Sequence, residues 1–317
     1  MKRLAFLLLL VCFQTATAQN YPNRPVKIVI GFTPGGGVDI NARLLASKLT
    51  EYLGQSVIVE NKPGAGTNIG AEFVARSAAD GYTLFFNSPA MAINMSLYKN
   101  PGYDIVKDFT PVSVFSDSTN ILVVPASLPA KSVKELVALA RDKPGALNFS
   151  SAGAGSTQHL AGELFKLRTG TQMVHVPYRG SAPSIAALLT AEVQLSFVNP
   201  LAIGSHVKSG RLRALAVAGP KRAGLLPDVP TMKEAGVEGV EVPLWFGLLA
   251  PAGTSREIVA TLAAGVQRAA KDPEMRKRLE EQGGEPVGST PEEFSRLLRE
   301  ELTKWAEVVK VSGAKAD

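Results

Sequence analysis

The sequence predicts an α/β protein built as two domains, one inserted in the other, with a cleft between them. Three observations carry this. Short apolar runs rich in Val, Ile and Phe alternate with stretches whose apolar residues recur at helical spacing, which implies parallel strands joined through helices, with loops gathered at the strands' carboxyl ends. Glycine-rich turns sit between such a strand and such a helix in both halves of the chain, at Gly35–Gly37, Gly64–Thr67 and Gly153–Thr157. The chain also changes character twice, over residues 109–120 and over the Gly/Pro-rich passage 219–230, as one unit must when another interrupts it. On this reading residues 19–117 and 225–317 form the first domain and residues 118–224 the second.

The first eighteen residues stand apart. Lys2 and Arg3 give a positive start, Leu4 to Phe13 an apolar stretch too short to span a bilayer, and Ala16-Thr-Ala18 a small-x-small cleavage pattern. Together they read as a secretory signal peptide, residues 1–18. Val11, not a small residue, precedes Cys12, which argues against a lipoprotein anchor. Cleavage removes that cysteine, the only one, so stability is expected to come from cores without disulfides. It leaves 299 of 317 residues, enough for two ordinary domains. The formal charge falls from +6 to +4 without Lys2 and Arg3. No basic run is interleaved with aromatics, so nucleic acid is not an expected partner. No later segment reaches the roughly 18 uncharged apolar residues of a membrane span.

The elements follow in order. Val26–Ile30 is a nearly continuous apolar run, as in a strand covered on both faces. Val38, Ala42, Leu45, Leu49 and Tyr52 then mark one helical face, which Gly54 stops. Val57–Val59 is a strand, Asn68–Ser77 a helix with Ile69, Phe73 and Val74 inward, and Thr83–Phe86 a strand ending at Asn87-Ser88. Val112–Phe115 and Ile121–Val124 read as adjoining strands around the first crossing. Ser132 and Glu135 form a capping box for a helix to Asp142. Leu147–Phe149, Met173–Val176, Val193–Val198 and Leu212–Ala218 are strands of the second domain. Its helices are Thr157–Arg168, with Leu160, Leu164 and Leu167 on one face, and a short one ending at Thr190. After the return, Thr231 and Glu234 cap a short helix stopped by Gly236, and Leu244–Ala250 is a strand. Thr254 and Glu257 cap a helix carrying Ile258, Leu262 and Val266, and Asp272-Pro273 opens another. Thr290 and Glu293 open the last, with Phe294, Leu298, Leu302, Trp305 and Val309 inward. The carboxy-terminal helices are expected to pack back on the first domain.

The three glycine turns suit an anion. Glycine lets backbone N–H groups face outward, and the helix that follows adds its unpaired amides and the positive end of its dipole. Each turn alone is equally a tight strand-to-helix connection. Their recurrence in both domains favours a ligand with carboxylates held from two sides. A nucleotide fits poorly. Gly64-Ala-Gly66-Thr-Asn-Ile-Gly70 approximates a dinucleotide fingerprint, but the next strand ends at Asn87-Ser88 without an acidic residue, and no turn ends in Gly-Lys-Ser/Thr. A hydrolase lacks its Gly-x-Ser-x-Gly elbow. His159, His175 and His206 are far apart in sequence and read as an oriented structural side chain, a strand residue in core or rim, and a surface residue. No metal-ligand spacing occurs. Neither a catalytic residue nor a metal nor a cofactor is therefore expected. Asp39 either complements its helix dipole or orients water and loop amides beside a ligand. Phe32 is a candidate apolar wall or a core residue. Tyr178, Arg179 and Asn199 close strands at one edge of the second domain, and Trp245 reads as a packing anchor.

A wider pattern runs through the chain. Tyr21-Pro-Asn-Arg-Pro25 leads into the Val26–Asp39 strand and glycine turn, followed by Val59-Glu-Asn-Lys-Pro-Gly-Ala-Gly-Thr-Asn-Ile-Gly70 and Asp80-Gly-Tyr-Thr-Leu84. Ser151-Ala-Gly-Ala-Gly-Ser156 with His159-Leu160, Val176-Pro-Tyr-Arg-Gly180, Leu226-Pro-Asp-Val-Pro-Thr231 and Trp245-Phe-Gly-Leu-Leu-Ala-Pro-Ala-Gly253 complete it. This ordered set, spanning nearly the whole mature chain, resembles the tripartite tricarboxylate transporter substrate-binding proteins, also called Bug proteins. The resemblance implies a periplasmic, monomeric binding protein of the type II, Venus-flytrap fold. Its partners would be a small organic carboxylate (di-/tricarboxylate or aromatic acid), the integral-membrane permease and, in a sensing role, a sensor kinase. An exported enzyme acting on an organic acid is the rival class. Carried onto this chain, the ligand contacts fall at Phe32, Gly36, Gly37, Asp39, Thr67 and Ser88 in the first domain. In the second they fall at Ser151, Gly155, Ser156, Thr157, Tyr178 and Asn199. Two positions depart from the resemblance: Gly37, where many relatives carry a bulkier residue, and Asn199-Pro200, where an acidic residue is common.

Overall fold

The computed structural model describes residues 21–281 and 283–316, so the signal-peptide reading of residues 1–18 lies outside the described residues. The chain begins β1 (Val26–Ile30), α1 (Gly37–Leu53), β2 (Val57–Asn61), α2 (Asn68–Ala75), β3 (Thr83–Asn87), α3 (Ala90–Leu97) and β4 (Phe109–Ser118). It then crosses over residues 119–120 to β5 (Ile121–Pro125), α4 (Val133–Asp142), β6 (Asn148–Ser151), α5 (Thr157–Thr169), β7 (Val174–Pro177), α6 (Ser181–Leu189), β8 (Leu195–Val198), α7 (Pro200–Lys208) and β9 (Leu212–Val217). It returns through β10 (Leu244–Pro251), α8 (Arg256–Lys271), α9 (Pro273–Glu281), β11 (Glu285–Pro286) and α10 (Pro291–Ser312).

Two sheets result, one per lobe. The first runs β11-β4-β10-β3-β1-β2 and the second β7-β6-β8-β5-β9. β1, β2 and β3 are parallel, as are β6, β7 and β8. The strands at the crossings break that rule: β10 is antiparallel to both β3 and β4, and β5 to both β8 and β9. The adjoining strands β4 and β5 thus lie in different sheets. Main-chain contact with the second sheet continues past β9. The amides of Met232 and Val242 donate to the carbonyls of Val217 and Ala218, so the chain stays on the second lobe well beyond residue 225.

The double burial of β1 is visible in its packing. Val26, Ile28 and Ile30 join a core with Leu45 and Leu49 of α1 and Leu262 and Val266 of α8, while Val29 faces the opposite core with Phe85 and Phe109. Fully burying such side chains contributes about 1.5–3 kcal/mol each. The second core continues through Phe149, Phe165 and Phe197 of the second lobe, because α10 packs on α3, β4 and α5 together. The C-terminal helix therefore touches both lobes. Its Trp305 and the Trp245 of β10 both donate their indole N–H to the buried Glu301, at 2.6 and 3.2 Å.

Among the described residues four hydroxyl caps fix helix starts: Ser132, Ser156, Ser255 and Thr290 each accept from the backbone amide three residues on. Several sequence expectations change. Ile69, Phe73 and Leu167 point outward, at 52%, 41% and 45% exposure. Phe73 is covered instead by the ammonium of Lys62, 4.3 Å from its ring centroid. Thr231 and Glu234 do form a reciprocal cap, but Gly236 follows too soon and the segment closes as a turn. The α8 cap falls on Ser255, one residue after Thr254, whose hydroxyl donates to the Pro251 carbonyl. The helices α3 and α7 follow their strands directly and were not expected.

Candidate ligand-binding site

The glycine turn after β1 and the turn after β6 face each other across the space between the lobes. A cavity of about 30 Å³ lies there, half of its lining from each lobe. The first lobe supplies Phe32, Gly36, Gly37, Val38, Ser88, Leu244 and Phe246. The second supplies Asn120, Ala152, Ser156, Thr157, Gln158, Ser181 and Asn199. Among the described residues that line it, none is ionisable.

Two helices start at this cavity, one from each lobe. In α1 the first helical bond runs from the Ile40 amide to the Gly36 carbonyl at 3.0 Å, so the amides of Gly37 and Val38 precede it. In α5 the Ser156 hydroxyl takes the His159 amide at 3.2 Å and the Leu160 amide donates to the Ser156 carbonyl. That leaves Thr157 and Gln158 in the corresponding positions. Each helix end carries roughly half an elementary positive charge. Two such ends of opposite approach, with hydroxyls of Ser88, Ser156, Thr157 and Ser181 around them, make a site for negative charge built from neutral groups.

The lobes touch beside the cavity. A Cβ placed on Gly36 would lie 3.3 Å from Ser181 Cβ, and one on Gly37 3.2 Å from Asn199 Cγ. The Asn199 amide nitrogen donates to Ser118 Oγ at 2.9 Å, and Tyr98 reaches the Ala154 carbonyl at 3.4 Å.

Of the twelve residues expected from the sequence, Phe32, Gly36, Gly37, Ser88, Ser156, Thr157 and Asn199 line this cavity. The other five stand behind or beside it. Asp39, 4% exposed, braces the loop: Gly35 donates to it at 3.0 Å, Arg43 Nε at 3.1 Å to both carboxylate oxygens, and Asn61 at 3.1 Å. Burial pushes its carboxyl up, but these donors outweigh burial and hold it below the usual carboxylate range. Thr67 is buried, with φ 88°, and accepts from Asn87 at 3.2 Å. Ser151 is tied to His175 Nε2 at 2.7 Å and accepts from the Gly153 amide. Gly155 meets Asn94 of the first lobe. Tyr178 donates to Glu192 at the surface, 2.9 Å away, and Arg179 is exposed.

Behind the second loop the rings of His159 and His175 stack at 4.0 Å, and Phe149 stacks on His175 at 4.9 Å. Burial is the main cause that pushes the two histidines down, to about 4 and about 3, so both are neutral at pH 7. The Gly155 amide donates to His159 Nδ1 at 3.3 Å, which fixes the loop to its helix. His159 acts as an oriented structural side chain. Among the described residues no group of three or more His, Cys, Asp or Glu is placed to hold a metal.

The sequence reasoning missed Val38, Asn120, Ala152, Gln158, Ser181, Leu244 and Phe246. Leu244 and Phe246 share one face of a strand by simple alternation, a signal that was available. Asn120 sits in the polar break, and only the crossing places it.

Comparison with known proteins is decisive for the family. Residues 41–314 match the profile described as the tripartite tricarboxylate transporter family receptor. The chain belongs to this family. Its relatives include the protein BugT of Bordetella pertussis, 38% identical over 301 residues covering 94% of this chain and 92% of BugT. Among solved structures, an R. palustris protein with adipate is 40% identical with a TM-score of 0.90, covering 93% of this chain and 99% of that one. MatC from Rhodopseudomonas palustris with bound malate is 32% identical with a TM-score of 0.87, covering 91% and 100%. The two-lobed architecture of this family member is the periplasmic-binding-protein fold that the sequence predicted. Among the described residues no helix is long and apolar enough to cross a membrane.

Proposed function

We propose that this receptor captures a small organic carboxylate between its lobes in the periplasm and delivers it unchanged to the permease of a tripartite tricarboxylate-type transporter. The observation that carries the reading is the neutral cavity between the first turns of α1 and α5. Helix amides and hydroxyls can hold an anion there without a counter-ion. The adipate and malate of the two related structures support a dicarboxylate as the class to try first. Among the described residues the lining offers no His, Lys or carboxylate to activate its Ser and Thr hydroxyls as nucleophiles, which favours holding over chemistry.

Thermal shift against a panel of mono-, di- and tricarboxylates, aromatic acids included, tests it. A carboxylate at 100 times its Kd stabilises the native state by about 2.7 kcal/mol. Acid recovered unchanged and in stoichiometric amount after incubation supports capture. Stabilisation by a sugar or an amine, with none by any acid, would overturn the reading.

A further inference from the structure

We infer that the ligand of this site carries a hydroxyl besides its carboxylate, and that the side-chain amides of Asn120 and Gln158 receive it. The inference rests on the carboxylate reading above.

Both residues line the cavity and are buried, at 1% and 5% exposure. Each spends its amide nitrogen on a neighbouring hydroxyl of the same lobe: Asn120 Nδ2 donates to Thr157 Oγ1 at 3.1 Å, and Gln158 Nε2 to Ser181 Oγ at 2.8 Å. Each is left with its amide oxygen buried and without a hydrogen-bond partner. An unpaired buried acceptor is destabilising, so two of them on residues that line one cavity call for donors. A carboxylate has none to give and is repelled by both oxygens. An ammonium would donate, but the lining holds no carboxylate to balance its charge, and an unpaired buried ion is costly. A hydroxyl meets the need without charge. It also accepts, and the hydroxyls of Thr157 and Ser181, having accepted from the amides, each keep an O–H to offer. Amide oxygen and hydroxyl hydrogen, side by side, complement an alcohol. The ligand class is therefore a hydroxycarboxylate. Its carboxylate lies toward the helix amides, and its hydroxyl toward Asn120 and Gln158.

The test is calorimetric titration with matched acids that differ by one hydroxyl: lactate and propionate, malate and succinate, 3-hydroxybutyrate and butyrate. In at least one pair the hydroxy acid is expected to bind about tenfold tighter, the worth of one satisfied buried pair of groups. Aspartate is expected to bind no better than succinate. Asn120→Leu and Gln158→Met, whose folding is checked by melting temperature without ligand, should each cut the preference to about threefold or less. Because the comparison is made within one protein, a general loss of stability cancels. Acids that bind equally with and without the hydroxyl overturn the inference and leave the carboxylate reading standing, as does an aromatic acid lacking a hydroxyl as the sole ligand. A preference that survives in both variants also overturns it. Failure of every carboxylate to bind removes the underlying reading and the inference together.

Discussion

Replacing Gly36 by valine separates closure from folding. The backbone at Gly36 is extended, with φ −88° and ψ 171°, so a branched side chain meets no strain of its own. The obstacle is the other lobe, where Ser181 Cβ and Oγ lie 3.3 and 3.4 Å from the position of the new Cβ. Alanine would ask Ser181 to yield by a few tenths of an ångström. Valine adds two methyls, and overpacking of that kind costs about 1–3 kcal/mol. At about 1.4 kcal/mol per decade this is roughly 5- to 150-fold in Kd. The lobes relieve the clash by parting, so the cost falls on the closed form. Losing glycine from the helix N-cap weakens the ligand-free protein as well, by about 1 kcal/mol or less, a shift of roughly 2–4 °C. Titration calorimetry with the tightest acid of the panel, run beside ligand-free melting, reads both quantities. The expected result is at least about fivefold weaker binding for Gly36→Val with a nearly unchanged melting temperature, and an intermediate Gly36→Ala. Unchanged affinity for Gly36→Val would refute the reasoning, since the first loop would then not meet the second lobe around the ligand.

Three further outcomes follow from buried polar groups. Glu301→Leu leaves the indole N–H groups of Trp245 and Trp305 without their shared acceptor and is expected to cost about 3–5 kcal/mol, read as a fall in melting temperature and a change in tryptophan emission. Asp39→Asn should lower stability at pH 7 by about 2 kcal/mol through its charged hydrogen bonds. Because the folded carboxyl is held down, that contribution is present above the unfolded pKa and lost as pH falls through the folded one, so denaturation curves of wild type and variant should converge in acid. His159 and His175, pushed down mainly by burial to about 4 and about 3, refuse protons that the unfolded chain accepts near 6.5. Stability should therefore drop as pH falls from about 6.5 toward 4, by up to about 1.4 kcal/mol per pH unit for each ring, and His175→Phe should flatten that slope.

Much of this was legible because local chemistry and global fold agree. The continuous apolar run of β1, the α1 face of Val38, Ala42, Leu45 and Leu49, and the caps at Ser132 and Thr290 all do in the fold what their spacing implies. Strand direction was not legible. Alternation gives the faces of β10 and β5 but not that they run against their neighbours, and those strands carry the crossings. α3 was hidden because AMAINMSL is apolar on most sides and follows β3 with only Ser88 and Pro89 between. Ile69, Phe73 and Leu167 fit an inward helical face by period, yet a neighbouring lysine ammonium or open solvent takes them. In the site, the turns supplied their own residues, whereas Asn120, Leu244 and Phe246 enter only through the crossings. The two positions that depart from the resemblance, Gly37 and Asn199, meet across the cleft, and no spacing in the sequence relates them.

On the proposed function, the contacts between the lobes account for how so neutral a site would both hold and release an anion. Gly66, Gly155 and Gly180 have φ of 61°, 81° and 130°, and a Cβ on any of them would run into the opposite lobe: the Ala154 carbonyl, Asn94 and Thr33 respectively. Glycine backbone therefore packs directly on the opposite lobe at these three points, and on the proposed function the first turns of α1 and α5 reach one ligand from both sides only when the lobes meet. A charged hydrogen bond is worth about 1.5–3 kcal/mol and a helix end about 0.3–1. Opening withdraws one lobe's share, a few kcal/mol, which weakens the ligand by about a hundredfold or more and matches the few kcal/mol by which open and closed forms typically differ. An arginine in the cavity would hold the anion more firmly, but opening would then have to separate a buried ion pair, at about 3–5 kcal/mol. A site of amides and hydroxyls keeps the energy of capture within the energy of closure, so the movement that admits the ligand is also the movement that lets it go.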